Sequence, residues 1–316
     1  MFTSTATQQP APSSSLKRLI NRHPLVAYFV VAFAGTWLFL LPIVLSQRGS
    51  GLLPFTLPDV AFIVLYLLAV YTGPTLAAFL VTAATSGKAG VRHLLRRYVQ
   101  WRVGLRWYLL VFFGYPVIHL LAASVVLGAA PLNALAQRWP LFFTFYLPNL
   151  LTFQLISVLG EEPGWRGFAL PRLQQRYGAL LGSLILGVLI GLWHFPAYFV
   201  PGLILQGPFD LLTEFVVNTF GIVILMPLWT WVFNNAGGSI LIAILLHCAS
   251  NASVSFVFSQ LLDLASFGTT AVQQILVWDL VAIVGSALLI IIFTRGRLSY
   301  KPNHVSQIAD APLAKE

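Results

Sequence analysis

The sequence has little charge and few acidic residues. Only 9% of its 316 residues are charged, and nine Asp and Glu stand against eighteen Lys and Arg. A soluble domain carries about 25% charged residues, so the composition excludes an ordinary soluble protein. The single cysteine, Cys248, excludes an internal disulfide bond. The hydrophobic content of 58% indicates a polytopic membrane protein, because one globular core cannot bury so many apolar residues.

Eight apolar stretches are long enough to cross a membrane, since a spanning helix needs about 20 residues. They lie at about residues 24–45, 58–84, 107–130, 140–160, 179–200, 212–233, 239–260 and 272–294. The predicted fold is therefore an all-α, polytopic transmembrane helix bundle of about eight spans. This domain takes up residues 23–295. Residues 1–22 are predicted to be a disordered cytoplasmic segment, and residues 296–316 a cytoplasmic tail.

The basic residues predict the orientation of the spans. With eight spans, all 18 Lys and Arg except Arg48 and Arg138 fall on one side of the membrane. Arg166 is among them, in the predicted loop between the fourth and fifth spans. The positive-inside rule then places both termini in the cytoplasm. This asymmetry and attraction to anionic lipid headgroups explain the net charge of +9, so no nucleic-acid partner is expected. Residues 88–107 are predicted to form an amphipathic interfacial helix.

An acidic pair interrupts the end of an apolar run in the stretch VLGEEPGWRG. Ionisable groups at the bilayer centre cost about 2.5–3.5 kcal/mol, and such residues usually face a polar cavity. In a helix, Glu162 and Arg166 share a face and pair. Glu161 then points about 100° away and is left free for chemistry. Pro163 disfavours helical dihedrals at Glu162, so a helix could instead begin or kink there.

Two histidines and an asparagine also lie within apolar stretches. His194 belongs to GLWHFPA, and His247 and Asn251 are four residues apart in LLHCASN. This spacing in a helix directs both side chains to one point. A structural interpretation competes with the functional one, because His and Asn also join transmembrane helices through hydrogen bonds.

Three further polar residues are assigned no chemistry. Glu214 and Asp279 lie near the ends of predicted spans, where an acidic side chain can snorkel to the interface. His119 lies within a span and is interpreted as structural.

Together these residues resemble the CPBP intramembrane proteases, the family of the type II CAAX prenyl proteases and their bacterial bacteriocin-processing and immunity relatives. EEPGWR matches the family's EExxxR motif, and HCASN matches its HxxxN motif. IGLWH corresponds to the FxxxH motif, with Ile190 in place of Phe and His194 retained. The resemblance covers about residues 140–260, which we take as the protease-like core.

The resemblance implies an intramembrane endopeptidase that hydrolyses a peptide bond of a membrane-associated or prenylated, CAAX-like substrate. Peptide hydrolysis needs a base that activates water and donors that stabilise the oxyanion. By analogy with the family, Glu161, helped by His194, activates the water. His247 and Asn251 stabilise the oxyanion.

The same resemblance assigns Glu162 and Arg166 the task of organising the site. Glu161, His194 and His247 also make a familiar zinc ligand set. No HExxH sequence is present, so we favour a reaction that requires no cofactor, with zinc as the alternative. The expected partners are a peptide or lipidated protein substrate and membrane lipids, in a bacterial or archaeal plasma membrane. The sequence indicates no particular oligomeric state.

A non-catalytic membrane protein, either a scaffold that confers immunity or a transporter, is the alternative function. Intramembrane carboxylates and histidines also mark ion pathways. Against transport, the sequence has no paired Gly/Pro-interrupted spans in two matching halves.

The predicted span limits place two proposed catalytic residues at different depths. His194 lies roughly 22 Å along its helix, at 1.5 Å per residue, whereas Glu161 lies at the cytoplasmic end of its span. The two residues can meet if the fourth span extends past Glu161 or if the fifth begins outside the bilayer, and we expect the first.

Overall fold

A computed structural model describes residues 15–203 and 210–302 of the chain. In chain order its helices are α1 (Ser15–Arg22), α2 (Pro24–Leu45), α3 (Asp59–Val70), α4 (Leu76–Tyr98), α5 (Leu105–Leu127), α6 (Ala130–Gln137), α7 (Phe142–Val158), α8 (residues 162–177), α9 (Ala179–His194), α10 (Leu211–Asn235), α11 (Ile240–Val254) and α12 (Thr269–Thr294). The described residues contain no β-strand.

Most of these helices form membrane-spanning segments. Seven segments of the described chain are long and apolar enough to cross a membrane: Pro24–Leu45, Asp59–Tyr98, Leu105–Leu127, Ala179–Phe199, Leu211–Asn235, Ile240–Leu261 and Thr269–Thr294. An eighth is reached if α6 and α7, which are bent by 77° at the break between them, are counted as one span. The predicted polytopic all-α bundle is confirmed, and the chain is an integral membrane protein.

The structure corrects two predictions near the chain's basic segments. The part of the predicted disordered segment that is described, Ser15–Arg22, is helical, and Ile20 packs against the hydrophobic core. Residues 1–14 and 303–316 lie outside the described residues. The predicted amphipathic helix at 88–107 ends at Tyr98, because the chain turns before α5 through Gly104, whose φ of 93° favours glycine.

The boundary between α3 and α4 is a break inside the protein. Gly73 has non-helical dihedrals (φ −77°, ψ −118°), and Pro74 has no N–H to continue the helical hydrogen bonds. The turn after α7 lies against this break: Thr75 donates from its backbone N–H to the Gly160 carbonyl at 3.2 Å and from Oγ1 to Leu159 at 3.1 Å. Irregular backbone at membrane depth requires such internal partners. Here the donors of Thr75 supply hydrogen bonds to the carbonyl groups left free after α7.

Helices α8 and α9 form an antiparallel hairpin. Gly178 joins them with φ 80°, a conformation that glycine adopts without strain. Near this turn, Gly182 lies so close to the backbone of Leu173 that a Cβ would collide. Near the open end, the rings of Trp165 and Trp193 meet edge to face at 5.5 Å. The start of α8 therefore lies beside the end of α9.

The prediction of a loop between the fourth and fifth spans is wrong, because α8 lies there as a buried helix. Its three arginines lower its hydropathy below that of a span. Two of them are accommodated by aromatic rings: the Arg172 guanidinium lies 3.8 Å from the centre of the Phe168 ring, and Arg166 lies 4.7 Å from that of Trp229. Cation–π contacts of this kind stabilise a guanidinium out of water.

The helices differ in how far they lie inside the bundle. In the most apolar window of Ile240–Leu261, 61% of the residues are buried, against 17% for Thr269–Thr294. The segment that carries α11 is therefore central, whereas α12 presents most of its surface to lipid. Helix α5 packs between them and contacts both.

Candidate active site

The acidic pair lies at the point where the chain leaves α7 and enters α8. Helix α7 ends at Val158, and Glu161 is the residue that precedes α8, with φ −113° and ψ −60°. Pro163 lies in the first turn of α8, where its missing N–H costs no helical hydrogen bond. A helix thus begins at the pair, which was one of the two possibilities that Pro163 left open. The expectation that the fourth span extends past Glu161 is wrong.

Glu162 is the centre of a buried ion-pair network. Its side chain is fully buried, and Oε1 accepts hydrogen bonds from Arg166 Nη1 at 2.6 Å and from His247 Nδ1 at 2.8 Å. The predicted pairing of Glu162 with Arg166 is confirmed, whereas the bond to His247 was not predicted. Arg166 also donates from Nη2 to the sulfur of Met226 at 3.2 Å and lies over the ring of Trp229.

Glu161 is placed differently from its neighbour. Its residue surface is 6% exposed, and it lines a cavity of about 460 Å³ that Glu162 does not line. Its Oε2 atom is buried without a hydrogen-bond partner among the described residues. Because Glu161 lines the cavity and makes no ion pair with the described residues, its carboxylate is placed to bind water or substrate.

The other proposed catalytic residues line the same cavity. His194, His247 and Asn251 all contribute to its wall, together with Arg166. The hairpin of α8 and α9 explains how Glu161 and His194 meet, because each lies about one helix length from the Gly178 turn. The predicted difference in depth between Glu161 and His194 arose because the sequence-based span limits did not include helix α8. The structure thus brings together all four residues that were predicted to be catalytic.

His194 is held in one orientation at the end of α9. Its Nδ1–H donates to the carbonyl of Ile190 at 2.9 Å, which leaves the lone pair on Nε2 when the ring is neutral. The ring packs edge to face on Trp193, with centroids 4.6 Å apart, and the Trp193 indole donates to Thr36 Oγ1 at 2.9 Å. Ile190, which replaces the phenylalanine of the FxxxH motif, therefore orients the histidine through its backbone.

His247 and Asn251 lie on one face of α11, as their spacing predicts. Both line the cavity, and Asn251 is exposed. His247 donates its Nδ1–H to Glu162, so a donor at Nε2 requires the doubly protonated ring. The carboxylate of Glu162 stabilises that positive charge at short range.

The described residues do not form a metal site of the expected kind. No three His, Cys, Asp or Glu side chains in the described ranges lie close enough to hold an ion together. Glu161, His194 and His247 share a cavity wall but do not make a ligand set. The zinc alternative therefore does not fit this arrangement.

Arg97 is a supporting residue that the sequence did not reveal. Its residue surface is 3% exposed. The guanidinium donates to the carbonyl oxygens of Gly167 at 2.8 Å, Arg166 at 3.2 Å and Gly238 at 2.9 Å. It thereby ties α4 to α8 and to the turn before α11. In the sequence nothing distinguishes Arg97 from its neighbour Arg96. In the structure Arg96 is exposed, whereas Arg97 and Leu94, three residues earlier, are buried on the inward face of α4.

The snorkelling interpretation is wrong for both acidic residues to which it was applied. Glu214 is 5% exposed and Asp279 is 9% exposed. The backbone carbonyl and the carboxylate of Glu214 accept from Asn218 Nδ2 at 2.9 and 3.3 Å, and Asn218 lines the cavity. Asp279 pairs with His119. Each carboxylate therefore contacts a polar side chain inside the bundle and does not extend to the membrane–water interface.

Two comparisons with known proteins found similar sequences. Residues 142–253 match the family described as type II CAAX prenyl endopeptidase Rce1-like. A protein of Methanococcus maripaludis, named CAAX prenyl protease 2, is 27% identical over 197 residues, which cover 59% of this chain and 71% of that relative. The matched family region runs from the start of α7 to Ser253 and includes all six predicted site residues.

Proposed function

Because the chain belongs to the CPBP intramembrane protease family and is a protease, we propose that it cuts a prenylated, CAAX-like peptide segment of a membrane-associated protein. The observation that carries this proposal is the cavity shared by Glu161, His194, His247 and Asn251. One wall of this cavity offers a base and hydrogen-bond donors. These are the groups that peptide hydrolysis needs.

Glu161 is the proposed general base. It removes a proton from a water molecule while the water oxygen attacks the carbonyl carbon of the scissile bond. His194 accepts a hydrogen bond from the same water at Nε2, which its Nδ1 contact with Ile190 leaves free. When the tetrahedral intermediate collapses, the C–N bond breaks and the proton held by Glu161 passes to the leaving amine. The products are a new carboxylate and a free amine.

Asn251 and His247 are the proposed oxyanion donors. Asn251 Nδ2 carries two protons and is exposed to the cavity. His247 donates from Nε2 in its doubly protonated form, which the Glu162 carboxylate stabilises. Donors aimed at the developing negative charge usually give the largest part of such catalysis. Glu162 and Arg166 organise the site because Glu162 holds both Arg166 and His247 through one oxygen.

The rest of the cavity supports a lipidated substrate. Away from the catalytic wall its lining is largely apolar and includes Leu40, Leu203, Ile222, Leu225 and Val254. A prenyl chain gains favourable free energy from such a surface, by about 0.8 kcal/mol per buried CH₂. We propose a bacterial or archaeal plasma membrane as the location and the cytoplasmic side as the side from which substrate enters. Membrane lipids are then constant neighbours, and no nucleic acid takes part.

The substrate class is tested with one peptide in two forms. Purified protein in lipid vesicles is incubated with a farnesylated CAAX-ending peptide and with the same peptide lacking the lipid. We expect mass spectrometry to find a released C-terminal tripeptide mainly from the farnesylated form, and none with Glu161→Gln protein. Equal cleavage of both forms would argue against lipid recognition. Cleavage of neither form would argue against a CAAX-like substrate.

We also propose that the reaction requires no cofactor. The reason is the arrangement of the candidate ligands, since no three His, Cys, Asp or Glu side chains of the described residues are grouped so that they could hold one metal ion. Dialysis of the purified protein against a strong chelator such as 1,10-phenanthroline is expected to leave the cleavage rate unchanged. A known zinc protease treated in parallel shows that the chelator works. Loss of activity that zinc restores would contradict the proposal.

A further inference from the structure

A second cluster of buried polar side chains lies outside the cavity. His119 on α5 contacts Asp279 Oδ1 on α12 through Nδ1 at 2.6 Å and Ser253 Oγ on α11 through Nε2 at 3.1 Å. The exposed fractions of His119, Ser253 and Asp279 are 2%, 0% and 9%. Three helices thus meet at one histidine in a membrane-spanning bundle.

The order of these groups matches a serine protease triad, but their surroundings exclude a nucleophilic serine. A triad serine must be open to substrate and give its proton to the histidine. Ser253 is fully buried, does not line the cavity, and donates to the backbone carbonyl of Ser250 at 2.9 Å. Another task must therefore explain the cluster.

The contacts of His119 join it to both neighbouring helices. Its Nδ1–H donates to the Asp279 carboxylate on α12, and Nε2 is within hydrogen-bond distance of the Ser253 hydroxyl on α11. All three side chains are buried, so removing one of them leaves its neighbours without that polar partner inside the bundle.

The cluster is connected to the active site along two routes. Ser253 is on α11, two residues after Asn251 and six after His247, so its position fixes the rotation of the helix that carries both proposed oxyanion donors. One turn before His119 on α5, Tyr115 OH accepts from Trp229 Nε1 at 2.5 Å. The Trp229 ring lies over Arg166 and 5.0 Å from the ring of His247.

We propose that His119 and Asp279 are a positioning pair, which holds α11 through Ser253 so that His247 and Asn251 face the scissile bond. Between transmembrane helices, lipid provides no hydrophobic driving force, and hydrogen bonds and close packing set the contacts. Most of α12 faces lipid, so Asp279 is a specific polar tie between this helix and the centre of the bundle. The pair acts through Ser253 and touches no substrate. This inference rests on the proposed function for the identity of the groups that are positioned.

The test uses Asp279→Asn and Ser253→Ala in vesicles with the farnesylated peptide. Asparagine keeps the shape of Asp279 but removes the carboxylate that orients His119, so the contact between His119 and Ser253 is weakened. For both variants we expect kcat per folded protein to fall about tenfold, equivalent to about 1.4 kcal/mol. KM should stay within about twofold, as expected when binding is retained. Ser253→Thr keeps the hydroxyl and should restore kcat.

A second readout does not depend on cleavage. Cys248, the only cysteine in the sequence, lies beside His247 on α11 and is fully buried. If the pair holds α11, Cys248 should react with a membrane-permeant thiol reagent several-fold faster in the Asp279→Asn and Ser253→Ala proteins than in the parent protein. Ser124→Ala is the matched control, because within the described ranges the Ser124 hydroxyl donates to the Leu120 carbonyl of its own helix, α5, and to no other helix. This control should leave both the labelling rate and kcat unchanged.

The outcomes separate this inference from the proposed function. If the parent protein cleaves no peptide, the proposed substrate fails, and Cys248 labelling still decides whether the pair holds α11. If labelling and kcat stay at parental values in Asp279→Asn and Ser253→Ala while thermal stability falls, the pair only stabilises the fold. That result would overturn the inference. A Ser253→Thr protein as impaired as Ser253→Ala would overturn the hydroxyl link.

Discussion

Replacement of Glu161 by glutamine is expected to abolish peptide cleavage while the protein remains folded and inserted. The substitution keeps the size of the side chain and removes the group that takes a proton from water. General bases typically contribute about 10²–10⁴-fold to a rate, so kcat should fall by that factor. Among the described residues Glu161 makes no ion pair, unlike Glu162, and its Oε2 has no hydrogen-bond partner. Its loss should therefore not weaken the fold.

The matched control for this substitution is Glu214→Gln. Glu214 is also a buried carboxylate of the bundle, yet it is not among the residues that line the cavity. Cleavage of the farnesylated peptide is measured by mass spectrometry, with the folded fraction determined by size-exclusion chromatography. Glu214→Gln should keep cleavage within about an order of magnitude, since truncating a supporting hydrogen bond costs about 1 kcal/mol. A Glu161→Gln protein with parental kcat would rule out Glu161 as the base.

Much of the fold was predictable because lipid imposes a simple length rule. Apolar stretches such as 24–45 and 272–294 became single helices, since a helix satisfies all its backbone groups within one segment. The region around α7 and α8 was harder. Helix α7 is bent away from α6 by 77°, and α8 carries Arg166, which hydropathy assigns to a loop. Hydropathy does not detect that Glu162 and Trp229 compensate this charge.

The site was predictable to a different extent. The spacing of His247 and Asn251 places them on one helix face, and the structure brings both to the cavity. The bond between His247 and Glu162 was not predictable, because it joins residues 85 positions apart and no local pattern encodes it. The same limit applies to Arg97, whose three acceptors are backbone carbonyls of α8 and of the turn before α11. Any sequence offers such acceptors.

Replacement of Glu162 by alanine is expected to cost both activity and stability, in contrast to the change at Glu161. The carboxylate is the shared acceptor of Arg166 and His247 and is completely buried. Its removal leaves the guanidinium buried and uncompensated, which typically costs about 3–5 kcal/mol. His247 also loses the group that orients it, so the oxyanion donor is misplaced. Thermal unfolding in detergent should show a clearly lower midpoint for Glu162→Ala than for Glu161→Ala.

A double variant separates the two effects of Glu162. In Glu162→Gln/Arg166→Met the buried charge pair is replaced by groups of similar size without charge, and such replacements are often neutral for stability. Because Arg166 packs on Trp229 and Met226, methionine fills much of the same space. We expect the double variant to unfold near the parental midpoint but to remain inactive, since His247 has lost its carboxylate. Recovery of cleavage together with stability would show that Glu162 only compensates Arg166 and does not organise the catalytic histidine.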